Sequence, residues 1–118
     1  MIRLAGATLV LEDRLLAGGQ IVIDAGRVAE VSPDGGRGGR DLEGHYILPG
    51  FVDVHVHGVQ GIDTLDGGDA IERIAARLPR FGVTAFCPTS VACPPRELGE
   101  MLRAVAAAGH APAGASAR

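Results

Sequence analysis

Residues 49–58, which read Pro-Gly-Phe-Val-Asp-Val-His-Val-His-Gly, decide the predicted fold of this chain. Apolar and polar residues alternate along this stretch, and successive side chains of a β-strand point to opposite faces. One face carries Val52, Val54 and Val56, and the other carries Phe51, Asp53, His55 and His57. A strand with valines behind and an acid and two imidazoles in front is typical of a parallel barrel, with helices outside and chemistry inside.

A helix and a second strand are predicted after this stretch. Residues 58–68 are predicted to form a loop, and Asp69 with Glu72 resembles a capping box in which Asp replaces Ser or Thr. The apolar stripe of the helix consists of Ile71, Ile74, Ala75 and Leu78, and Pro79 with Gly82 marks its exit. Residues 83–87 then form a buried strand that Pro88 closes.

The chain continues with a second predicted helix. Pro95 suits its first position, and Gly109 is placed to end it. Its predicted apolar stripe consists of Leu98, Met101, Leu102 and Val105. Residues 110–118 read as a low-complexity linker. The order strand, helix, strand, helix predicts a parallel sheet with right-handed crossovers.

The first 48 residues instead predict short antiparallel strands. Residues 4–11 are rich in β-formers, and residues 20–24 and 27–31 read as a hairpin around Asp24-Ala25-Gly26. Residues 32–40 contain turn formers and predict a mobile loop. We therefore predict two domains, a small β domain over 1–48 and the start of a barrel over 49–118.

Composition narrows the class of protein. The chain has 118 residues, of which 47% are hydrophobic, and a net charge of −3, so it offers no basic surface for nucleic acid. Its apolar runs fall short of the roughly 18 residues that a membrane span needs, and we expect a cytoplasmic protein with no membrane partner. Cys87 and Cys93 fit neither a redox motif nor a zinc knuckle and are predicted to be reduced, inert thiols.

His55 and His57 are the candidate metal ligands. They share one face at the carboxyl end of a predicted parallel strand, where barrel enzymes place their chemistry, and imidazole is the commonest metal ligand. The alternative is a pair of ordinary polar residues at a strand end. Asp53 on the same face either orients an imidazole or satisfies backbone donors, whereas Asp63 and Asp66 are typical turn formers. Zinc hydrolases usually need three protein ligands, so the pair predicts only part of a site.

Residues 49–58 resemble the first-strand signature of the amidohydrolase superfamily, in which a small β-sandwich precedes a (β/α)8 barrel. The turns at 24–28 and 41–44 are similar to that superfamily's N-terminal segment. Within it, residues 57–63 and 82–90 most resemble the N-acetylglucosamine-6-phosphate deacetylase family. The resemblance implies that His55 and His57 bind a divalent ion and that Thr89 and Ser90 lie at the mouth of the second barrel strand.

The same resemblance implies a hydrolase that removes the N-acetyl group from an amino sugar phosphate and releases acetate. The ion would be zinc in the first place, with iron or another divalent ion as the alternative, and the full-length protein would be a homo-oligomer. The family's further pieces are a glutamate ligand, two more histidines and an aspartate that handles the proton. None of these has a matching motif here, so no catalytic residue is assigned in this chain.

A complete (β/α)8 barrel needs about 250 residues. We therefore expect a fragment that is inactive alone, comprising part of a β-sandwich and the first two βα units of a barrel. One alternative is another amidohydrolase, such as a dihydroorotase or an N-acyl-amino-acid hydrolase, because the first-strand signature is shared across substrates. The other is a non-catalytic small α/β module that pairs with a partner through open strand edges.

Overall fold

The computed structural model describes residues 1–33, 38–108 and 116–117, and the chain forms two compact units, Met1–Pro49 and Gly50–Arg118. The strands are β1 (Ile2–Val10), β2 (Leu15–Asp24), β3 (Arg27–Ser32), β4 (Arg40–Asp41), β5 (Tyr46–Ile47), β6 (Phe51–Val56), β7 (Gly58–Val59), β8 (Ile62–Asp63), β9 (Val83–Pro88) and β10 (Ser116–Ala117). The helices are α1 (Ala70–Arg77) and α2 (Pro95–Ala108), and a 3-10 turn covers Leu78–Phe81. The fold is mixed α/β.

The first unit is built on one sheet with the order β3-β2-β1-β4, to which β5 adds by pairing with β1. The predicted hairpin is confirmed, since β2 and β3 are antiparallel and Asp24 pairs with Arg27. Ala25 and Gly26 both have positive φ, 48° and 75°, as a two-residue type I′ turn requires. β2 begins at Leu15, earlier than predicted. In the predicted loop at 32–40, residues 34–37 lie outside the described residues.

One face of this sheet is apolar. Ile21 pairs with Val31 and Ile23 with Val28, so these four side chains lie on the same side of the sheet. They line a cleft together with Leu9. Val28 is 59% exposed, which is unusual for a β-branched residue on the apolar face of a sheet.

The second unit contains a parallel sheet with the order β10-β9-β6. β6 and β9 are parallel and α1 lies between them in the chain, which confirms the predicted strand–helix–strand order. The prediction of a linker over 110–118 was wrong at Ser116 and Ala117, which pair in parallel with Ala85 and Phe86 of β9. An unfilled edge of β9 offers backbone hydrogen bonds that an alanine-rich, low-complexity segment can use, and composition does not reveal this.

The core of the second unit forms where α1 packs on the sheet. The predicted stripe on α1 is confirmed, since all its members are at most 5% exposed: Ile71, Ile74, Ala75 and Leu78. They cluster with Val56 of β6 and with Phe86 of β9, which is 0% exposed. The helix continues into the 3-10 turn, and Gly82 ends it with a φ of 79°.

The predicted capping box is wrong. Asp69 is the residue before the helix, but its side chain makes no capping hydrogen bond. Its φ and ψ are −94° and 19°, outside the extended region from which a capping side chain reaches the first free amides. Its carboxylate instead lies 3.7 Å from the Arg73 guanidinium.

The predicted start of α2 at Pro95 is confirmed, but its predicted stripe is wrong at two positions. Met101 is buried and Val105 packs against the core, whereas Leu98 and Leu102 are 36% and 57% exposed. The helix uses a neighbouring face on which Ala104 and Ala108 contact the core. Alanines allow a close helix approach, and a search for large apolar residues overlooks them. Gly109 lies outside the described residues.

Two further expectations need correction. Residues 58–63 form the short antiparallel hairpin β7–β8 rather than a plain loop, with Gln60 and Gly61 at positive φ in its turn. The valine face of β6 is covered only at Val56, while Val52 and Val54 are 63% and 72% exposed. α1 covers only the carboxyl end of the strand.

No helix in the described part of the chain is both long and apolar enough to cross a membrane.

Candidate metal site

The two histidine rings meet at the carboxyl end of β6. His55 Nε2 and His57 Nε2 lie 3.0 Å apart, and the rings stand edge to face at 77° with their centroids 4.8 Å apart. His55 is exposed and His57 is half-buried. Since residues two apart on a strand share a face, the strand geometry itself brings the two rings together.

The backbone of Thr89 fixes the orientation of the His57 ring. His57 Nδ1 lies 3.0 Å from the Thr89 carbonyl oxygen. A carbonyl can only accept, so Nδ1 carries the proton and donates it. In the neutral ring this leaves Nε2 unprotonated, with a lone pair that can accept a hydrogen bond or bind a metal ion.

This tautomer also determines which of the two rings donates the hydrogen in the contact between them. Because His57 Nε2 accepts, His55 Nε2 donates its hydrogen in this contact. Two nitrogens that bind one tetrahedral zinc ion at about 2.0–2.1 Å are about 3.4 Å apart. The observed 3.0 Å is close to that separation. The pair therefore fits a divalent ion once the shared proton leaves His55 Nε2.

The pair has no third ligand beside it in residues 1–33, 38–108 and 116–117, where no group of three His, Cys, Asp or Glu side chains could hold an ion. His45 lies in the first unit, and its Nδ1 contacts the Glu43 carbonyl oxygen at 3.1 Å. His110 lies outside the described residues. The described part of the chain thus offers two candidate ligands, whereas a zinc hydrolase usually has three.

The Asp53 side chain is hydrogen-bonded to the backbone rather than to a histidine ring. Its Oδ1 accepts a hydrogen bond from the His55 backbone N–H at 3.1 Å, which agrees with the structural alternative rather than with a ring partner. The register of β6 against β9 is irregular between Asp53 and Val56. Asp63 and Asp66 are turn formers: Asp63 Oδ1 accepts from the Leu65 N–H at 2.9 Å, and Asp66 Oδ2 from the Asp63 N–H at 3.0 Å.

Sequence reasoning missed Thr64. Its side chain is 1% exposed, and its hydroxyl donates to the Thr89 carbonyl oxygen at 2.8 Å. Its backbone N–H donates to the His57 carbonyl oxygen at 2.8 Å. A lone threonine in a predicted loop gives no signal for such a role. A hairpin turn at Gln60-Gly61 would have predicted that the chain returns and that Thr64 lies next to His57.

Thr89 and Ser90 directly follow β9, as the resemblance implied. The Thr89 N–H donates to the Val56 carbonyl oxygen at 2.8 Å, which ties the ends of β6 and β9 together. Cys87 and Cys93 form no disulfide with each other, and both are half-buried.

The fold and the site define an α/β protein with paired histidines at the carboxyl end of a parallel strand. No family model matches the chain. N-acetylglucosamine-6-phosphate deacetylase of Rattus norvegicus is 35% identical over 122 residues, which cover 95% of this chain and 28% of that protein. The chain thus spans about a quarter of the length of the curated relatives it matches.

Solved structures of the same kind of enzyme also resemble this chain. The crystal structure of N-acetyl-D-glucosamine-6-phosphate deacetylase from Mycobacterium smegmatis has a TM-score of 0.76 and 29% identity, and covers 89% of this chain and 30% of that one. A mutant of that enzyme in complex with N-acetyl-D-glucosamine-6-phosphate has a TM-score of 0.75 and 29% identity, covering 88% and 27%. The chain is similar to N-acetylglucosamine-6-phosphate deacetylases and consistent with their N-terminal part, and the predicted resemblance is confirmed.

Proposed function

We propose that this chain is the N-terminal, metal-binding part of an N-acetylglucosamine-6-phosphate deacetylase. The observation that carries the proposal is the convergence of His55 Nε2 and His57 Nε2 at 3.0 Å, with His57 held by a backbone carbonyl. The similarity to deacetylases over most of the chain supports the same function.

His55 and His57 would hold a divalent ion, and imidazole ligands suit zinc, with iron or another divalent ion as the alternative. When bound, such an ion polarises an amide carbonyl and supplies a nucleophilic water at neutral pH. The chain's own part is to hold the two Nε2 atoms close together, and both can bind one ion once the proton has left His55 Nε2. The His57 ring is hydrogen-bonded to the Thr89 carbonyl, and the backbone N–H of His55 is hydrogen-bonded to the Asp53 carboxylate.

We also propose that the two units are parts of larger domains. The apolar face of the first sheet, with Val28 and Val31 exposed, suits half of a β-sandwich over residues 1–48. The parallel strands β6 and β9, with helices α1 and α2, suit the first two βα units of a (β/α)8 barrel over residues 49–118. β10 would then be the start of the next parallel strand.

The reaction would be hydrolysis of the acetamide of an amino sugar phosphate. Water adds its oxygen to the carbonyl carbon, the C–N bond breaks, and the nitrogen takes a proton, which gives acetate and glucosamine 6-phosphate. A base must accept a proton from the water. The third ligand and this base would come from elsewhere in a full-length homo-oligomeric protein, so we propose that these residues alone are inactive.

Acetate release by the full-length protein tests this function. We expect acetate from N-acetylglucosamine 6-phosphate, loss of the activity after removal of metal by a chelator, and recovery with zinc. Turnover of dihydroorotate or of an N-acyl-amino acid in its place would favour the alternative amidohydrolases. Absence of hydrolysis of all three, from a folded protein supplied with zinc, would favour the non-catalytic module.

A further inference from the structure

Three backbone segments meet beneath His57 and form a closed set of hydrogen bonds. The Thr64 N–H donates to the His57 carbonyl, and the Thr64 hydroxyl donates to the Thr89 carbonyl. That carbonyl also accepts from His57 Nδ1, so the path returns to its starting residue. The Thr89 carbonyl uses both its lone pairs in this way.

The environment of Thr64 calls for a hydrogen-bonding side chain at this position. It is 1% exposed, and a buried hydroxyl is costly unless it is hydrogen-bonded. Valine has nearly the same shape and would fill the same volume without a polar group. The hydroxyl is directed at one acceptor only, the carbonyl that orients the His57 ring.

We propose that Thr64 is a positioning residue for His57. Its hydroxyl holds the Thr89 carbonyl in place, and the carbonyl in turn keeps the proton of His57 on Nδ1 and the lone pair on Nε2. The proposal rests on the proposed function in one respect, namely that the His57 Nε2 lone pair binds the divalent ion. The backbone bond from Thr64 to His57 anchors the β7–β8 hairpin to the same point, so the hairpin and the ring are positioned together.

The variants Thr64→Val and Thr64→Ser test the role of the hydroxyl in the full-length protein. Thr84→Val is a matched control, since the Thr84 hydroxyl also meets a strand carbonyl, that of Phe51 at 3.5 Å, at the far end of the same strand pair. Where Thr64→Val does not fold, Thr64→Cys replaces it, because a thiol is only a weak donor.

The first measurement needs no metal. Selective ¹⁵N labelling of histidine, with the signal assigned from His57→Gln, shows which ring nitrogen carries the proton. We expect Nδ1 in the natural protein, in Thr64→Ser and in Thr84→Val, and a mixture of both tautomers in Thr64→Val. A single Nδ1 tautomer in Thr64→Val would overturn the proposal.

The second measurement is the zinc dissociation constant by competition with a chelator. Loss of a residue that supports a ligand typically weakens metal binding by about 10–100-fold, and we expect about tenfold for Thr64→Val. Thr64→Ser should bind zinc as tightly as the natural protein because serine keeps the hydroxyl. A role that depended only on filling the buried volume would not predict this. Equal binding by Thr64→Val and Thr84→Val would contradict the proposal. Unchanged binding by His55→Ala/His57→Ala would instead refute the metal site, and the tautomer result would stand independently.

Discussion

At the scale of single residues, backbone carbonyls and amides determine what the histidine side chains can do. His57 has its tautomer chosen by the Thr89 carbonyl, and His55 has its backbone N–H bound by Asp53. Side-chain identity placed the pair on one face of a strand. The atom that orients His57 is the main-chain carbonyl oxygen of Thr89, and every residue carries such an atom, so the sequence alone could not identify it. The Asp53 side chain, in contrast, was a candidate from the sequence.

Asp53 provides a prediction at this scale. Its Oδ1 accepts the His55 backbone N–H, and the amide oxygen of Asn can do the same. We expect Asp53→Asn to keep the zinc affinity and stability of the natural protein, whereas Asp53→Ala should lose about 0.5–1.5 kcal/mol of unfolding free energy in urea titration. Asp53→Asn binding zinc as poorly as a histidine variant would show that the carboxylate charge serves the site.

At the scale of elements, the β7–β8 hairpin is the feature that the sequence concealed. Its strands have two residues each and its turn is Gln60-Gly61 rather than the usual Asn-Gly, so neither alternation nor turn chemistry stands out. The longer elements were predictable because their patterns repeat: α1 buries all four predicted positions, Ile71 among them. The stripe of α2 was misjudged at Leu98 and Leu102 because part of the contact face is made of alanines, which tertiary packing selects.

The hairpin predicts a strong effect at Gly58. A Cβ there would overlap the carbonyl oxygen of Ile62 across the hairpin, and this backbone atom cannot move aside alone. We expect Gly58→Ala to lose more than about 2 kcal/mol of unfolding free energy and to weaken zinc binding, because Thr64 would shift with the strand. Urea unfolding and chelator competition measure the two effects.

Gly61→Ala is the matched control in the same hairpin. A Cβ there meets nothing within 4 Å, although its φ of 77° makes alanine strained. We expect a cost of about 1 kcal/mol and unchanged zinc affinity. If Gly58→Ala proved as mild as Gly61→Ala, the close approach of β7 and β8 would be wrong.

At the scale of the whole molecule, several surfaces suit a larger protein. β6 is an edge strand of the sheet within the described residues, and its Val52 and Val54 are exposed. Such an edge pairs readily with another chain. Under the proposal that this chain is part of a longer barrel protein, these exposed valines would be covered by the rest of that protein.

This edge predicts self-association of the 118-residue chain on its own. Sedimentation velocity should show assembly that grows with concentration, and Val54→Lys should reduce it because a charge at an open edge opposes pairing. Val91→Lys is the control, since Val91 is 53% exposed but lies between β9 and α2. A strictly monomeric chain, or equal assembly by both variants, would argue against pairing at this edge.

The metal content of the purified full-length protein shows whether His55 and His57 together hold a metal ion. Elemental analysis should find zinc or another divalent ion in the natural protein and in His45→Ala, a histidine of the other unit. We expect His55→Ala/His57→Ala to lose one ion per chain. A folded double variant that retains the full metal content would contradict the account.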